Sequence, residues 1–383
     1  MKISVLSNNL SNNGFGRAFL LADILSRRYD VEIIGPVKAS GIWPPLRNSK
    51  LKIKTVPHRS MPGFFVSAFQ MYKMIDGDVI YAIKPKLASY LIGLIKRFRT
   101  RKPVVIDIDD WEAAFHDLSW SIPGLVGEIV DPDSMLYSGI AERLVNRADG
   151  LTSVSDFLRE TYGSRGVIVP HGRDIKVFDP AIYSKEEQKR KYHLEGFNVI
   201  VFVGTVRSHK GVEDIIEAIK QLNDKKIKLV IFATENDRTR QVVEQNPDIV
   251  TFLGQADFVS LPEKLSMADL IVLPQKDEPI ARGQVPAKLI DAMAMAKPII
   301  STKISDIPKI LEGCGIVVEP GDIKAIAKSI RYVLDHPGKA EEMGKAARTK
   351  CEKYFSYEAV GNILYNVFDK YDAKRKDVQN AAG

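Results

Sequence analysis

One rhythm runs twice along this chain, and it restricts the fold more than any other feature. Short β-branched runs alternate with segments of helical spacing. In the first round KISVLS (2–7), VEIIG (31–35), DVIYAI (78–83), PVVIDI (103–108), GLTSV (150–154) and GVIVP (166–170) read as strands. Helical patterns fall at 16–28, 64–75, 87–98, 134–147 and 156–162. After residue 196 the rhythm restarts with NVIVFVG (198–204), IKLVIFA (227–233), IVTFLG (249–254), DLIVLP (269–274), PIIST (298–302) and GIVVEP (315–320). Helices are expected at 211–222 and near 236–245, and from about 322 onward. Near-continuous apolar strands alternating with helices imply parallel sheets covered on both faces. The expected architecture is α/β with two doubly wound parallel sheets. A chain of 383 residues has the length for two such domains. The polar stretch 171–196 breaks the rhythm. The expected boundaries are 1–175, a linker at 176–196, and 197–355.

Composition narrows the class. The only cysteines, Cys314 and Cys351, match no zinc spacing and suggest a reducing compartment. MKISVLSNN has too short an apolar run for a signal peptide. LASYLIGLI stops at Lys96, short of the roughly 18 apolar residues that span a bilayer. The expected location is cytoplasmic, with peripheral contact at the inner face of a membrane as an open option. The net charge of +7 is uneven, since residues 1–178 hold 24 Lys/Arg against 18 Asp/Glu. Its densest part is KRFRTRK, Lys96 to Lys102. This is either a solvated helix end or a patch for an anionic membrane surface. MPGFFVSAFQMYKMI (61–75) carries Phe64, Phe65, Phe69 and Tyr72 at helical spacing. They either fill the first domain's core or enter a headgroup region. No nucleic-acid partner is expected.

In open parallel sheets ligands sit beyond the carboxyl ends of the strands. The segment ARGQVPAKLIDAMAMAKPIIS (281–301) is the most informative of these loops. A loop with Arg282 and Gly283 runs through Val285 into Pro286, read as the first helical residue. The N–H groups of Ala287 and Lys288 then face outward at the positive end of the helix dipole, a ready phosphate site. Lys288 adds a full charge, and Asp291 one turn on can accept from sugar hydroxyls. In GTVRSHKG (204–211), Arg207, His209 and Lys210 lie between Gly204 and Gly211. Set opposite the helix start at 286, Arg207 and Lys210 would clamp a diphosphate. The bland alternatives are an ordinary buried αβ unit and a solvated basic turn.

Three further loops carry chemistry. SNNLSNNGFGR (7–17) offers Gly14 and Gly16 at a helix start, as a structural loop or a ligand loop. The strand after it ends in Gly35–Pro36, without the acidic residue that would hold an NAD ribose, which argues against a dehydrogenase. IDIDDWEAAFHD (106–117) places Asp109, Asp110 and Glu112 around Trp111. Those carboxylates can hold a cation, act as a base or bind sugar hydroxyls, but no metal-ligand spacing is present. His116 is a base or a surface residue. In PHGRD (170–174), His171 and Arg173 either line the site or set the hinge.

Together these residues resemble glycosyltransferase family 4, retaining nucleotide-sugar enzymes of GT-B fold with two facing Rossmann-like domains. The likeness is strongest from 198 to 320. Gly204, Lys210 and Gly211 match the opening of the family's second domain, although Thr205 stands where an Arg is usual and Arg207 follows two residues later. Phe252–Leu253–Gly254 resembles the nucleotide-side segment, and VPHGRD the segment before the interdomain linker. The family's Glu-x7-Glu motif falls on Gly283 and Asp291, and its domain-one His on Asp109. The resemblance implies that a helix at about 356–375 packs back on the first domain. It also implies a transferase that takes a UDP- or GDP-sugar to a glycan, lipid-linked or small-molecule acceptor, with retention. No cofactor and no metal are expected, because Arg207, Lys210, Lys288 and the helix dipole would stabilise the leaving diphosphate. Asp109 and Asp110 are expected to be catalytic together with Arg207 and Lys210, and which group is the acid or base is left open. Two rivals remain: a nucleotide-sugar epimerase, and a non-catalytic nucleotide-sugar-binding subunit.

Overall fold

The computed structural model of the chain describes residues 1–112 and 122–382. His116 lies outside them. The chain divides into two compact units, Met1–His171 with Val360–Gly383, and Gly172–Ala359.

The first unit is built from β1 (Lys2–Leu6), α1 (Phe15–Ser26), β2 (Asp30–Val37), β3 (Lys52–Pro57), α2 (Phe64–Met74), β4 (Val79–Ile83), α3 (Ile92–Thr100), β5 (Val104–Ile108), α4 (Ile122–Val130), α5 (Met135–Arg143), β6 (Gly150–Ser153), α6 (Asp156–Thr161) and β7 (Val167–Ile168). Its sheet is parallel, in the order β3-β2-β1-β4-β5-β6-β7. Ile3, Val5, Ile33, Ile80 and Ile106 are fully buried in it. Each such side chain stabilises by about 1.5–3 kcal/mol when removed from water.

The second unit contains α7 (Lys185–Lys191), β8 (Asn198–Val203), α8 (Val212–Leu222), β9 (Ile227–Phe232), α9 (Asp237–Gln245), β10 (Val250–Phe252), α10 (Leu261–Ser266), β11 (Leu270–Leu273), α11 (Pro279–Arg282), α12 (Ala287–Ala294), β12 (Ile299–Thr302), α13 (Ile307–Leu311), β13 (Ile316–Val318), α14 (Ile323–Asp335) and α15 (Pro337–Tyr354). Its parallel sheet runs β10-β9-β8-β11-β12-β13. A last helix, α16 (Tyr357–Ala382), returns the chain to the first unit. There Tyr365 donates to the Ile24 carbonyl at 3.1 Å and the Tyr29 hydroxyl donates to Asp369 at 2.5 Å.

Several details differ from the sequence reading. β3 is an additional edge strand, whose lysines 52 and 54 pair with the fully buried Glu32 of β2. The stretch expected as a linker holds α7 and belongs to the second unit. The helix expected at 87–98 opens with a wider turn at Leu87–Leu91 before α3 begins. Phe64 is buried as a core residue should be, but Phe65 and Phe69 are 67% and 57% exposed. The reading in which all four aromatics fill the core therefore fails. Among the described residues no helix is long and apolar enough to cross a membrane.

Both sheets reverse their winding once, between β1 and β4 and between β8 and β11. A crevice opens at the carboxyl ends of the strands at such a reversal, and ligands bind there in open α/β sheets. The loops that follow these four strands are therefore where chemistry is to be sought.

Candidate functional site

In the second unit the two loops at the reversal are 204–211, after β8, and 274–286, after β11. Gly204 and Gly211 both have positive φ, at 126° and 65°. At Gly211 the need for glycine is steric as well, because a Cβ would lie 2.0 Å from the Pro274 carbonyl oxygen. This close approach seats the short turn Ser208–Lys210 on the end of β11. The backbone N–H of Lys276 donates to the His209 carbonyl at 3.0 Å, which ties the two loops together.

The consequence is the placement of Lys210. Its Nζ donates to Gln275 Oε1 and to Gln284 Oε1, both at 2.9 Å. Two neutral amides thus fix the ammonium group at the reversal. Gln275 is buried. Arg207, two residues earlier, is exposed and caps the turn with extended backbone.

Gln284 leads directly into α12. Pro286 is the N-cap of that helix, with φ −62° and ψ 123°, rather than its first helical residue as the sequence suggested. No side chain caps the helix start. The first backbone N–H groups, from Ala287 onward, are of the kind that bind anions. Val285 is buried beside them, and Lys288 is half-buried.

Three sequence expectations need correction here. Arg282 and Gly283 do not lie in an open loop: Arg282 ends the short helix α11, and Gly283 caps it, buried. Arg282 pairs with Asp277 through Nε–Oδ1 at 2.7 Å and Nη2–Oδ2 at 3.0 Å, an exposed contact. Asp291 is fully buried. Its Oδ1 accepts from Arg173 Nε, and its Oδ2 lies 3.2 Å from Lys288 Nζ. Burial pushes the Asp291 carboxyl up, but Arg173 and Lys288 outweigh that and hold it below the ordinary carboxylate range. In this geometry Asp291 fixes two cations at the start of α12.

Arg173 has the same anchoring character. It is buried, and its Nη1 donates to the Gly172 carbonyl at 2.6 Å. Its backbone N–H donates to the Phe355 carbonyl at 2.8 Å, and the Arg173 carbonyl accepts from the Tyr357 N–H at 2.9 Å. His171, just before it, is half-buried. Gly254, expected on the nucleotide side, has φ 72° and accepts from the Ala233 N–H at 3.0 Å through its carbonyl.

In the first unit the loops at the reversal are 7–17, after β1, and 84–86, after β4. Gly14 is the N-cap of α1 in ordinary right-handed geometry, and its N–H donates to Asn12 Oδ1 at 2.9 Å. At Gly16 a Cβ would meet only Trp43 at 3.7 Å, an ordinary contact, so sterics within this unit do not demand glycine there. The buried Arg17 that follows forks Asp107 through Nε–Oδ2 and Nη2–Oδ1, both at 2.9 Å, and donates to the Val169 carbonyl at 2.7 Å.

The acidic triplet after β5 gathers around a residue that sequence reasoning missed. Lys84 follows β4 with φ 69°, a strained value for a non-glycine. Its Nζ pairs with Asp110, lies 3.0 Å from Glu112 Oε1 and 3.5 Å from Asp109 Oδ1. Lys86 Nζ lies 2.8 Å from Glu112 Oε2 and donates to Ser138 Oγ at 2.8 Å. Burial lowers the pKa of the Lys84 ammonium, but Asp109, Asp110 and Glu112 reverse this and hold it well above the usual lysine value. Burial raises Glu112 too, and there the two lysines win, at about 2. Burial dominates at Asp109: its carboxyl is pushed up to about 7 against the pull of Lys84, with Asp110 adding repulsion. One carboxyl that can exchange a proton near neutrality, Asp109, thus shares the Lys84 ammonium with one that stays charged, Glu112.

Residues 184–350 match the family model described as glycosyl transferases group 1. The alpha-D-kanosaminyltransferase of Streptomyces kanamyceticus is 26% identical over 192 residues, 48% of either chain. The N-acetyl-alpha-D-glucosaminyl L-malate synthase of Bacillus anthracis is 27% identical over 249 residues, 61% of this chain and 62% of that one. A GDP-mannose-dependent phosphatidylinositol monomannoside mannosyltransferase of Corynebacterium glutamicum is 24% identical over 274 residues, 66% of this chain and 67% of that one. The matches thus span from about half to two thirds of these relatives. Among solved structures, the sucrose-phosphate synthase of Thermosynechococcus elongatus superposes with TM-score 0.76 at 18% identity, over 97% of this chain and 99% of that one. The Anabaena HepE protein in complex with UDP-glucose gives 0.76 at 17% identity, over 97% of this chain and 100% of that one. The fold is GT-B, with two Rossmann-like domains.

Proposed function

We propose that this chain is a glycosyltransferase that takes a UDP- or GDP-linked sugar as donor. The observation that carries this reading is Lys210 of the 204–211 loop, fixed at the reversal of the second sheet by Gln275 and Gln284 of the loop that leads to the start of α12. A half-buried lysine presented by neutral amides beside a helix N-terminus suits a diphosphate. Arg207 and Lys288 supply further charge. The match of 184–350 to the group 1 model and the names of the relatives support transfer. They favour it over an epimerase or a silent binding subunit.

In the reaction an acceptor hydroxyl oxygen bonds to the anomeric carbon. The bond from that carbon to the β-phosphate oxygen breaks, and its electron pair leaves with the nucleoside diphosphate. Lys210, Arg207 and the α12 N–H groups stabilise that departing charge before it forms, so no reorganisation is needed during the step. The proton of the acceptor hydroxyl passes to the leaving phosphate. Lys84 positions Asp109, Asp110 and Glu112 for contact with the acceptor, where the raised pKa of Asp109 suits proton exchange near neutral pH. Retention of configuration belongs to the same reading, as does a glycan or lipid-linked acceptor. The mannosyltransferase relative is named for GDP-mannose and a phosphatidylinositol mannoside, which supports a lipid-linked acceptor here.

The test is calorimetric titration of UDP and GDP into the whole chain and its Lys210→Ala variant. The reading expects one nucleotide diphosphate to bind, weakened in the variant by about 1.5–3 kcal/mol, the scale of a charge-assisted hydrogen bond. Equal affinities in both proteins would contradict it.

A further inference from the structure

The first unit carries a cationic cavity at the edge of its sheet opposite to the reversal loops. It lies beside the amino ends of β4, β5 and β6, where Val79, Pro103 and Asp149 line it, and has a volume of about 610 Å³. Arg101, Lys102, Lys370, Lys374 and Arg375 also line it. Two carboxylates share the wall, but both have partners. Asp149 is forked by Arg97 at 2.6 and 2.8 Å and accepts from the Val104 N–H at 2.9 Å. Asp78 accepts from the Lys2 N–H at 2.8 Å and lies 3.9 Å from Arg375. The wall therefore keeps a positive excess. Its field reaches Lys96, whose pKa is lowered by burial and by the charge of Lys102.

A second observation points to a ligand. Tyr371 lines the same cavity and is 8% exposed, yet its hydroxyl has no hydrogen-bond partner among the described residues. A buried hydroxyl without a partner costs about 1–3 kcal/mol. Burial, with Asp149 nearby, pushes the phenol up to about 12, so it remains a neutral donor. Gly150 leaves the room for it, since a Cβ there would lie 2.7 Å from the hydroxyl oxygen. Five cations around an open cavity, with Tyr371 in its wall, match a phosphate group.

The surface beside the cavity supplies the second half. Thr100 and Arg101, at the end of α3, line the cavity, and one turn back on the same helix Ile95 and Phe98 are 56% and 85% exposed. On α2, joined to α3 by the Lys96 Nζ bond to the Tyr72 carbonyl at 3.0 Å, Phe65 and Phe69 are also exposed. Each pair lies at helical spacing of three or four, on one face of its helix. Aromatic residues exposed beside a basic cavity complement a surface with an apolar interior and an anionic face.

We propose that this unit docks on an anionic lipid surface, with a lipid phosphate headgroup in the cavity lined by Tyr371 and the cations of α16 and the α3 end. Phe65, Phe69, Ile95 and Phe98 enter the headgroup region beside it. This deepens the functional reading by placing the molecule at a membrane, and it uses none of the residues assigned to the donor.

The test is sedimentation of the whole chain with phosphatidylcholine vesicles, pure or containing phosphatidylglycerol, at low and high salt. Three variants accompany it: Lys370→Ala with Lys374→Ala, Phe69→Ser with Phe98→Ser, and Tyr371→Phe. The wild type should bind only the anionic vesicles, and binding should fade with salt. The lysine pair should lose roughly 25-fold, about fivefold per cation. The phenylalanine pair should also lose binding, and Tyr371→Phe several-fold. Glycerol 3-phosphate and inorganic phosphate serve as soluble competitors and should displace little. Absence of binding to anionic vesicles, or binding unchanged in the variants, overturns the proposal. So does tight binding of either soluble phosphate that survives Phe69→Ser with Phe98→Ser, because the cavity would then serve a free phosphate. UDP and GDP titrations on the same samples read the donor site separately. Retained nucleotide binding with failed vesicle binding refutes only the lipid proposal.

Discussion

Replacing Lys84 by methionine removes the one charge shared by Asp109, Asp110 and Glu112 while keeping most of the side-chain volume. In the native protein the carboxylates surround its buried ammonium group, at 3.0 Å from Glu112 and 3.5 Å from Asp109. Removing one partner of a buried ionic group leaves uncompensated charge, which costs about 3–5 kcal/mol. The cost depends on pH, and its sign follows from linkage. Without Lys84 the carboxyl pKa values in the folded state rise. The folded variant then binds more protons than the unfolded chain, so its stability grows as pH falls. In the wild type Glu112, held at about 2, contributes stability that is present above its unfolded value of 4.5 and is lost only as pH falls toward 2. Asp109, raised to about 7, acts oppositely: it costs stability as pH rises from its ordinary 3.8 through that value. The loss in Lys84→Met should therefore be about 3–5 kcal/mol near pH 8, and clearly smaller near pH 5.5. The assay is urea unfolding followed by tryptophan fluorescence. Trp43, Trp111 and Trp120 all fall within residues 1–171, so the signal reports the first unit alone. A loss below about 1 kcal/mol, or one equal at both pH values, would refute the account of this cluster.

The other predictions concern both units. Gly211→Ala should destabilise the second unit by several kcal/mol and abolish nucleotide binding, because its Cβ meets the Pro274 oxygen at 2.0 Å on backbone of φ 65°; an unchanged thermal midpoint would show that the loop can shift. Asp291→Asn should lower the stability of the second unit by about 3–5 kcal/mol as well as nucleotide affinity, since it leaves buried Arg173 without its carboxylate; thermal unfolding with and without nucleotide separates the two effects. Asp109→Asn should cut turnover far more than nucleotide affinity and remove an ionisation near neutral pH from the rate profile, which steady-state kinetics across pH would detect.

The parts of the molecule legible in the sequence are those encoded locally. The apolar strands and the loops after β8 and β11 can be read from short windows, because buried parallel strands are near-continuous in Val, Ile and Leu. β3 escaped because it is an edge strand. Its Lys52 and Lys54 look like surface residues, and only the fold shows that both answer Glu32 on the neighbouring strand. Lys84 escaped for a related reason. Its carboxylates lie more than twenty residues on, and nothing in YAIKPK marks the positive φ that turns its amine inward. The pairing of Asp291 with Arg173 escaped as well. The placement of Asp291 on the helix was clear, whereas Arg173 is 118 positions away and is brought to it only by folding. Gln275 and Gln284 were within reach of a closer reading, since both sit in loops at strand ends where a fixed amide is useful.

The central claim is that the second unit grips a nucleoside diphosphate between the 204–211 loop and the start of α12. The most direct measurement is a crystal structure of the chain with UDP or GDP bound. The account predicts diphosphate oxygens within hydrogen-bond distance of Lys210 Nζ and of the first backbone N–H groups of α12. A nucleotide bound elsewhere, with no contact to Lys210, would contradict it.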